Sequence, residues 1–197
     1  MLPSSPAVLE DGTALETGLD GIVLRRLTPA DAEPFAAHIA RDLEHVGEHL
    51  PWPWVTADAE GAARWLAAYE AREGGRVVAA GAWHGDALVG GGVLFFHDPA
   101  TAVVELGVWT TAPAEGRGVA TAACRALLAA AREELAVERV VWQSSTRNPR
   151  SRRLAEKLGF VHEGTLRSSY VLRGERLDVD VLSLVGAEID RAAGRIR

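Results

Sequence analysis

The chain of 197 residues holds one cysteine, Cys124. A single thiol cannot close an internal disulfide, which excludes the small cross-linked secreted scaffolds and suits a reducing, cytoplasmic compartment. No apolar run approaches the roughly 18 residues of a membrane span, so no membrane association is expected. Residues 1–21 contain no basic side chain and no sustained apolar core, and so do not read as a signal peptide. Residues 1–20 are expected to form a flexible leader or an added edge segment. An excess of positive charge is missing as well, with 21 basic residues against 27 acidic and a net charge of −6. That balance disfavours a general nucleic-acid binder. The six histidines show no metal-ligand spacing; His45 and His49 stand four apart without a partnering acid motif, and no metal is expected. No Gly-x-Gly-x-x-Gly follows the first apolar strand, which argues against a dinucleotide-binding dehydrogenase.

What is present is an ordinary globular balance, 48% apolar and 24% charged, on a length that suits one domain with a real core. Ile22 to Leu27 reads as a strand. Thr28-Pro29-Ala30-Asp31 then supplies an N-cap, a proline at the first helical position and an acid three residues on, opening a helix expected to reach about Glu44. Two prolines in Leu50-Pro51-Trp52-Pro53-Trp54 exclude a helix interior there. A second helix is expected from about Ala59 to Glu73, ended by Gly74-Gly75. Three strands follow as a meander: Arg76 to Trp83, Ala87 to Phe96 and Thr101 to Thr110, with turns at His84-Gly85-Asp86 and Asp98-Pro99-Ala100. Val119 to Leu135 reads as a helix and Arg139 to Gln143 as a buried strand. Asn148 is an N-cap ahead of Pro149, and Gly159 closes that helix. Val161 to Leu172 and Leu177 to Val185 form a hairpin, and residues 187–197 a short terminal helix or tail. The crossover from strand 101–110 through a helix to strand 139–143 requires a parallel pair.

The most informative stretch is Pro113-Ala114-Glu115-Gly116-Arg117-Gly118-Val119-Ala120-Thr121. A glycine-rich turn from a strand into a helix N-terminus leaves several backbone N–H groups aimed at one point, and those donors suit a phosphate or pyrophosphate. Arg147, Arg150, Arg152 and Arg153 crowd the next helix N-terminus, against its macrodipole, and this too invites an anion. Glu105 is the one acid in an otherwise apolar strand, Val103 to Val108. It is either solvated or held there for a purpose, and is the leading candidate for a general base. Glu163, on a late strand, is a second acidic candidate near a substrate. Trp52 and Trp54 either wall an acceptor pocket or pin a loop to the core. Cys124 lies on the apolar side of its helix and reads as a buried, inert thiol.

The glycine loop, followed by Asn148-Pro149-Arg150-Ser151 and by Leu154 to Phe160, resembles the GNAT acyltransferase superfamily. There an Arg/Gln-x-x-Gly-x-Gly/Ala pattern binds the pyrophosphate of coenzyme A. Glu163-Gly164-Thr165-Leu166-Arg167, then Gly174, Asp178 and Ser183-Leu184, looks like the tail of the RimJ/RimL-type N-acetyltransferases, and Leu24 to Ala32 like their opening. The resemblance covers about residues 21–186. It implies a single α/β (α+β) domain: a mixed, mostly antiparallel sheet flanked by helices, whose central parallel strands splay around the acyl-pantetheine arm.

The resemblance also implies an acetyl-CoA-dependent N-acetyltransferase, acting by direct attack of a small-molecule or peptide amine within a ternary complex. Contacts to coenzyme A fall on Val108, Thr110, Arg117, Gly118, Val119, Ala120, Thr121, Asn148, Ser151 and Arg153. Two positions depart from the pattern. Glu115 stands where Arg or Gln is usual, and an acid there repels a pyrophosphate unless its side chain turns outward. Ala155 stands where many relatives carry a tyrosine acid, which shifts protonation of the leaving thiolate to Ser151. The rival readings are another donor such as succinyl-CoA on the same fold, and a non-catalytic acyl-CoA-binding domain. A homodimer stays open.

Overall fold

The computed structural model describes residues 14–70, 77–98 and 101–195. Residues 1–13 of the expected leader, the helix stop at Gly74-Gly75 and the turn residues Pro99-Ala100 lie outside the described residues. Eight strands form one sheet in the order β1-β2-β3-β4-β5-β6-β8-β7. They are β1 (Ala14–Glu16), β2 (Ile22–Arg26), β3 (Val77–His84), β4 (Ala87–Asp98), β5 (Val103–Thr110), β6 (Arg139–Ser145), β7 (Val161–Leu172) and β8 (Glu175–Val185). Among the described residues only β5 and β6 pair in parallel; every other neighbour is antiparallel. The helices are α1 (Ala32–Arg41), α2 (Leu43–Val46), α3 (Pro53–Thr56), α4 (Ala59–Glu70), α5 (Val119–Leu135), α6 (Pro149–Lys157) and α7 (Ala187–Ala192). Among the described residues no helix is long and apolar enough to cross a membrane.

Each face of the sheet carries its own core. On one face α5 buries Val119, Ala123, Cys124, Leu127, Leu128, Ala131 and Leu135 against β4 and β5 residues such as Leu94, Val104 and Leu106. Leu127 and Leu128 are fully buried, and each contributes about 1.5–3 kcal/mol by leaving water. Burial pushes the Cys124 thiol well up, so it stays protonated and inert. On the other face α1 and α4 pack Phe35, Ile39, Ala62 and Leu66 onto Ala79, Val93 and Trp109. Trp109 lies so close to β4 that a Cβ on Gly91 would fall 2.4 Å from its ring, which is why only glycine fits there.

The expected first helix is broken. Asp31 accepts from the Thr28 backbone N–H at 2.9 Å, as the Thr-Pro-x-Asp signal implies. The helix then ends at Arg41 rather than running on to about Glu44, because Asp42 leaves helical geometry and its carboxylate accepts from the Ala112 N–H at 2.5 Å. A partner 70 residues away thus sets the break. Pro53 opens α3 at the first helical position, the one place a proline favours a helix.

His38 on α1 is fully buried, with Nδ1 2.7 Å from the Leu88 carbonyl. Desolvation, with a smaller opposing push from the Leu88 contact, lowers its pKa to about 4. The unfolded chain takes up this proton first, near pH 6.5. The stability contributed by the neutral ring is therefore complete above about pH 6.5 and drains as pH falls towards 4, by about 3 kcal/mol. Urea midpoints at pH 7 and 4.5 should show a smaller acid-induced fall in His38→Leu than in wild type. Equal falls would assign the acid lability to other groups.

Candidate active site

β5 and β6 pair at three positions only: Val103 with Arg139, Val104 with Val140 and Glu105 with Val141. Beyond them β5 runs on to Thr110 against β4, and β6 runs on to Ser145 against β8. The two strands part into a fork with Glu105 at its base. The backbone along the β5 side of the fork has a definite direction. Thr111 N donates to Val89 O at 3.2 Å, and the two-residue alternation of an antiparallel ladder then turns the Leu106 carbonyl and the backbone groups of Val108 and Thr110 away from β4 and into the fork.

Glu105 is partly exposed, and its Oε2 accepts from Gln143 Nε2 at 3.0 Å across the opening. Gly107 lies on the same face of β5, and a Cβ there would meet only Phe95, at 3.7 Å. The fork therefore opens on the α1/α4 side next to an acid, without a side chain to fill it. Trp52 lines this side. It stacks with Phe35 (5.8 Å between centroids), lies tilted against Trp65 (5.1 Å) and meets Trp109 edge-on at 5.3 Å. Trp54 is 40% exposed. Its ring carries the Arg173 guanidinium at 4.4 Å, and Arg173 also donates to the Gly47 carbonyl at 3.3 Å. The β7–β8 hairpin tip thereby reaches over to the α2–α3 segment.

At the far end of β5 a single turn, Ala112–Ala114, leads into the glycine loop. Gly116 (φ 71°) and Gly118 (φ 85°) both take the left-handed conformation that only glycine adopts freely. Gly118 is the N-cap of α5 and offers no side chain to its first turn. The N–H groups of Gly116, Gly118, Val119, Ala120 and Thr121 find no backbone acceptor among the described residues. Several donors and the positive end of a 17-residue helix face one spot. Space is open there: a Cβ on Gly116 would touch nothing within 4 Å, and one on Gly118 only Leu19, at 3.9 Å. The acid at Glu115 is turned to other partners, accepting from Arg150 on α6 at 2.9 and 3.1 Å with His45 Nε2 at 3.3 Å.

A model of the acetyltransferase (GNAT) domain matches residues 22–161. The chain belongs to the GNAT acetyltransferase family. A Bacillus subtilis (strain 168) protein provisionally named as the ribosomal N-acetyltransferase YdaF is 31% identical over 172 residues, covering 85% of this chain and 92% of its own. The crystal structure of a GNAT-family protein from Chromobacterium violaceum ATCC 12472 is 29% identical, with a TM-score of 0.75 over 87% of this chain and 91% of that one. RimL, a ribosomal L7/L12 α-N-protein acetyltransferase solved with coenzyme A, shares the fold at 16% identity, with a TM-score of 0.81 over 89% of this chain and 99% of its own. The protein is thus a GNAT enzyme of N-acetyltransferase type with the RimJ/RimL-like architecture.

The second GNAT element lies beside the first. Asn148 caps α6, its Oδ1 accepting from Ser151 N at 3.0 Å. Ser151 Oγ in turn accepts from the buried Trp142 indole at 2.9 Å, which leaves its own proton to donate elsewhere. Lys157 reaches Thr121 Oγ1 at 3.5 Å, so α6 runs alongside the start of α5. Arg117 and Arg153 are exposed and have no carboxylate partner among the described residues. The backbone donors, the open loop and these cations fit a pyrophosphate-bearing co-substrate. Glu163 sits elsewhere: Arg139 donates to it at 2.9 Å and Ser183 at 2.7 Å, at the paired end of β6. The Arg139 hydrogen bonds hold its carboxyl below the usual range. Sequence reading did not find the Glu115–Arg150 pair, Gln143, or the Arg173 bridge, since each joins residues that only the sheet brings together.

Ser151→Ala should lower kcat about tenfold and leave the affinity for acetyl-CoA little changed, if the hydroxyl donates its proton only as the thiolate departs. It should also lower the unfolding free energy from denaturant titration by about 1–3 kcal/mol, because the Trp142 indole loses its acceptor. A variant with wild-type kcat would remove Ser151 from the chemistry.

Proposed function

We propose that this enzyme moves the acetyl group of acetyl-CoA to a primary amine by direct attack in a ternary complex, with protein N-terminal α-amines as the favoured acceptors. The observation that carries this reading is the fork itself: β5 and β6 separate immediately after Glu105, so a thioester laid between them meets an acid, unpaired backbone donors and an open face. The glycine loop and α5 hold the pyrophosphate, with Arg117 and Arg153 nearby. The thioester carbonyl lies against the Val108 N–H, a donor suited to the developing oxyanion.

Glu105 accepts the proton of the amine, directly or through water. The nitrogen attacks the carbonyl carbon, the C–S bond breaks, and the thiolate takes a proton through Ser151, whose hydroxyl is reprotonated from solvent as Glu105 returns the amine's proton to solvent. The products are an N-acetylated amine and free coenzyme A. Magnitudes favour the α-amine. At pH 7 an α-amine of pKa about 7.7 is roughly one-sixth neutral, whereas a lysine of about 10.4 is neutral about once in 2,500. One partly exposed carboxylate suits the first task better. The name of the Bacillus subtilis relative, a ribosomal N-acetyltransferase, points the same way.

The test is thiol release from acetyl-CoA with three acceptor sets: peptides with free N-termini, N-blocked lysine peptides, and small amines. The free N-termini should give the highest kcat/KM. Binding of acetyl-CoA without thiol release in any set would make the protein a non-catalytic acyl-CoA-binding domain. Faster turnover of succinyl-CoA would reassign the donor.

A further inference from the structure

We infer that Arg150 is a phosphate-contacting residue of this enzyme and that Glu115 is the residue that positions it. The inference rests on the acetyl-CoA reading above and names a cation for it. Of the four arginines around the α6 N-terminus, two are committed away from the loop. Arg147 donates to both oxygens of Glu175 at 2.7 and 2.5 Å. Arg152 donates to Glu156 at 2.9 Å and to the buried Asp180 at 2.8 Å. Arg153 has no carboxylate partner among the described residues.

Arg150 differs from all three. It crosses from α6 to the loop that opens α5, and it is anchored by one nitrogen only: Nη1 donates to both oxygens of Glu115. Its Nη2 and Nε have no partner among the described residues. A guanidinium tethered at one corner keeps the rest of its planar fork for a second anion, and the fork suits two phosphate oxygens at once. The tether lies three residues before Gly118, whose N–H belongs to the unpaired set.

The same pair explains how a carboxylate is tolerated at an anion site. Glu115 alone would repel a pyrophosphate. Held by Arg150 from one side and faced by His45 from α2 at 3.3 Å, it is neutralised and turned off the donors. Glu115 therefore holds the Arg150 guanidinium beside the glycine loop, with its remaining N–H groups left for an anion there.

The experiment compares KM for acetyl-CoA with KM for acetyl-pantetheine, which carries the thioester but no phosphate. Arg150→Ala should raise KM for acetyl-CoA at least tenfold and leave KM for acetyl-pantetheine and kcat unchanged. Arg150→Lys should recover part of the loss, since it keeps the charge and lacks the fork. The effect of Glu115→Ala should change sign with its partner: weaker acetyl-CoA binding when Arg150 is present, because the guanidinium is no longer held, and tighter binding in the Arg150→Ala background, because the repelling acid is gone. Equal KM changes for both donors would make Arg150 a structural residue, and an unchanged KM for acetyl-CoA would remove it from the site; either result overturns the inference. A wild-type protein that binds no acetyl-CoA would overturn the functional reading as well, whereas wild-type binding with an indifferent Arg150 overturns this inference alone.

Discussion

Glu105→Gln should lower kcat/KM by roughly 10²–10⁴ at neutral pH. The substitution keeps shape and removes only the base. Glutamine can still accept a hydrogen bond from Gln143 through its carbonyl oxygen, so the base of the fork stays closed as it is now. If Glu105 takes the proton of the acceptor, the loss depends on how much neutral amine the solution already supplies. The deficit should shrink as pH rises from 6 to 10, and it should be smaller for an α-amine than for lysine, whose deprotonation at pH 7 costs about 3.7 kcal/mol more. Initial rates across that range, with one peptide of each kind, decide the matter. A deficit constant from pH 6 to 10 would make Glu105 a positioning group rather than a base.

The second large effect is expected in the loop. Gly118→Asp should weaken acetyl-CoA binding at least tenfold, about 1.4 kcal/mol, with the fold retained. Packing is not the issue, since a Cβ at Gly118 meets only Leu19 at 3.9 Å. Two other terms act. A non-glycine residue at φ 85° carries left-handed strain, which Asp tolerates better than most residues. The new carboxylate also stands among donors that await an anion. Gly118→Asn separates the two, because it shares the backbone tolerance and lacks the charge. Calorimetry should show Asn binding clearly tighter than Asp. Equal affinity of wild type, Asn and Asp would place the coenzyme elsewhere.

Much of this architecture was legible in the sequence because it rests on local signals. Thr28-Pro29-x-Asp31 and Asn148-Pro149 state their caps, and the glycine loop between an apolar strand and a 3.6-period helix states the β5–α5 junction. The bounds of α5 agree with its 3.6-residue period, and those of β7 with the hairpin signal at Arg173-Gly174-Glu175. The parallel pair followed from chain reversal through a helix. What was not legible depends on partners far away in sequence. Asp42 breaks the first helix to cap Ala112, and nothing near Asp42 announces it. Glu115 looked like a defect in an anion loop until α6 brought Arg150 to it across 35 residues. Arg173 meets Trp54 and Gly47 only because a hairpin tip and a helical loop share one end of the sheet. Side-chain traffic across a fork is long-range by construction, and pattern reading sees only the two prongs.

The fork also bears on how the sheet holds together. β1 to β5 form one antiparallel block and β6, β8 and β7 another, and backbone pairing between the blocks amounts to three residue pairs at one end. Elsewhere the seam is spanned by side chains: Gln143 to Glu105, Arg150 to Glu115, and Arg173 to Gly47. Beneath one face a single apolar cluster, with Leu94 and Leu106 from one block, Val140, Trp142 and Leu182 from the other, and Leu127 and Leu128 of α5, also joins the two blocks. An extended arm carrying amide groups, laid along the seam, supplies the rungs that the sheet itself omits. On the proposed function, loading acetyl-CoA completes the sheet across the seam, and release of free coenzyme A opens it again.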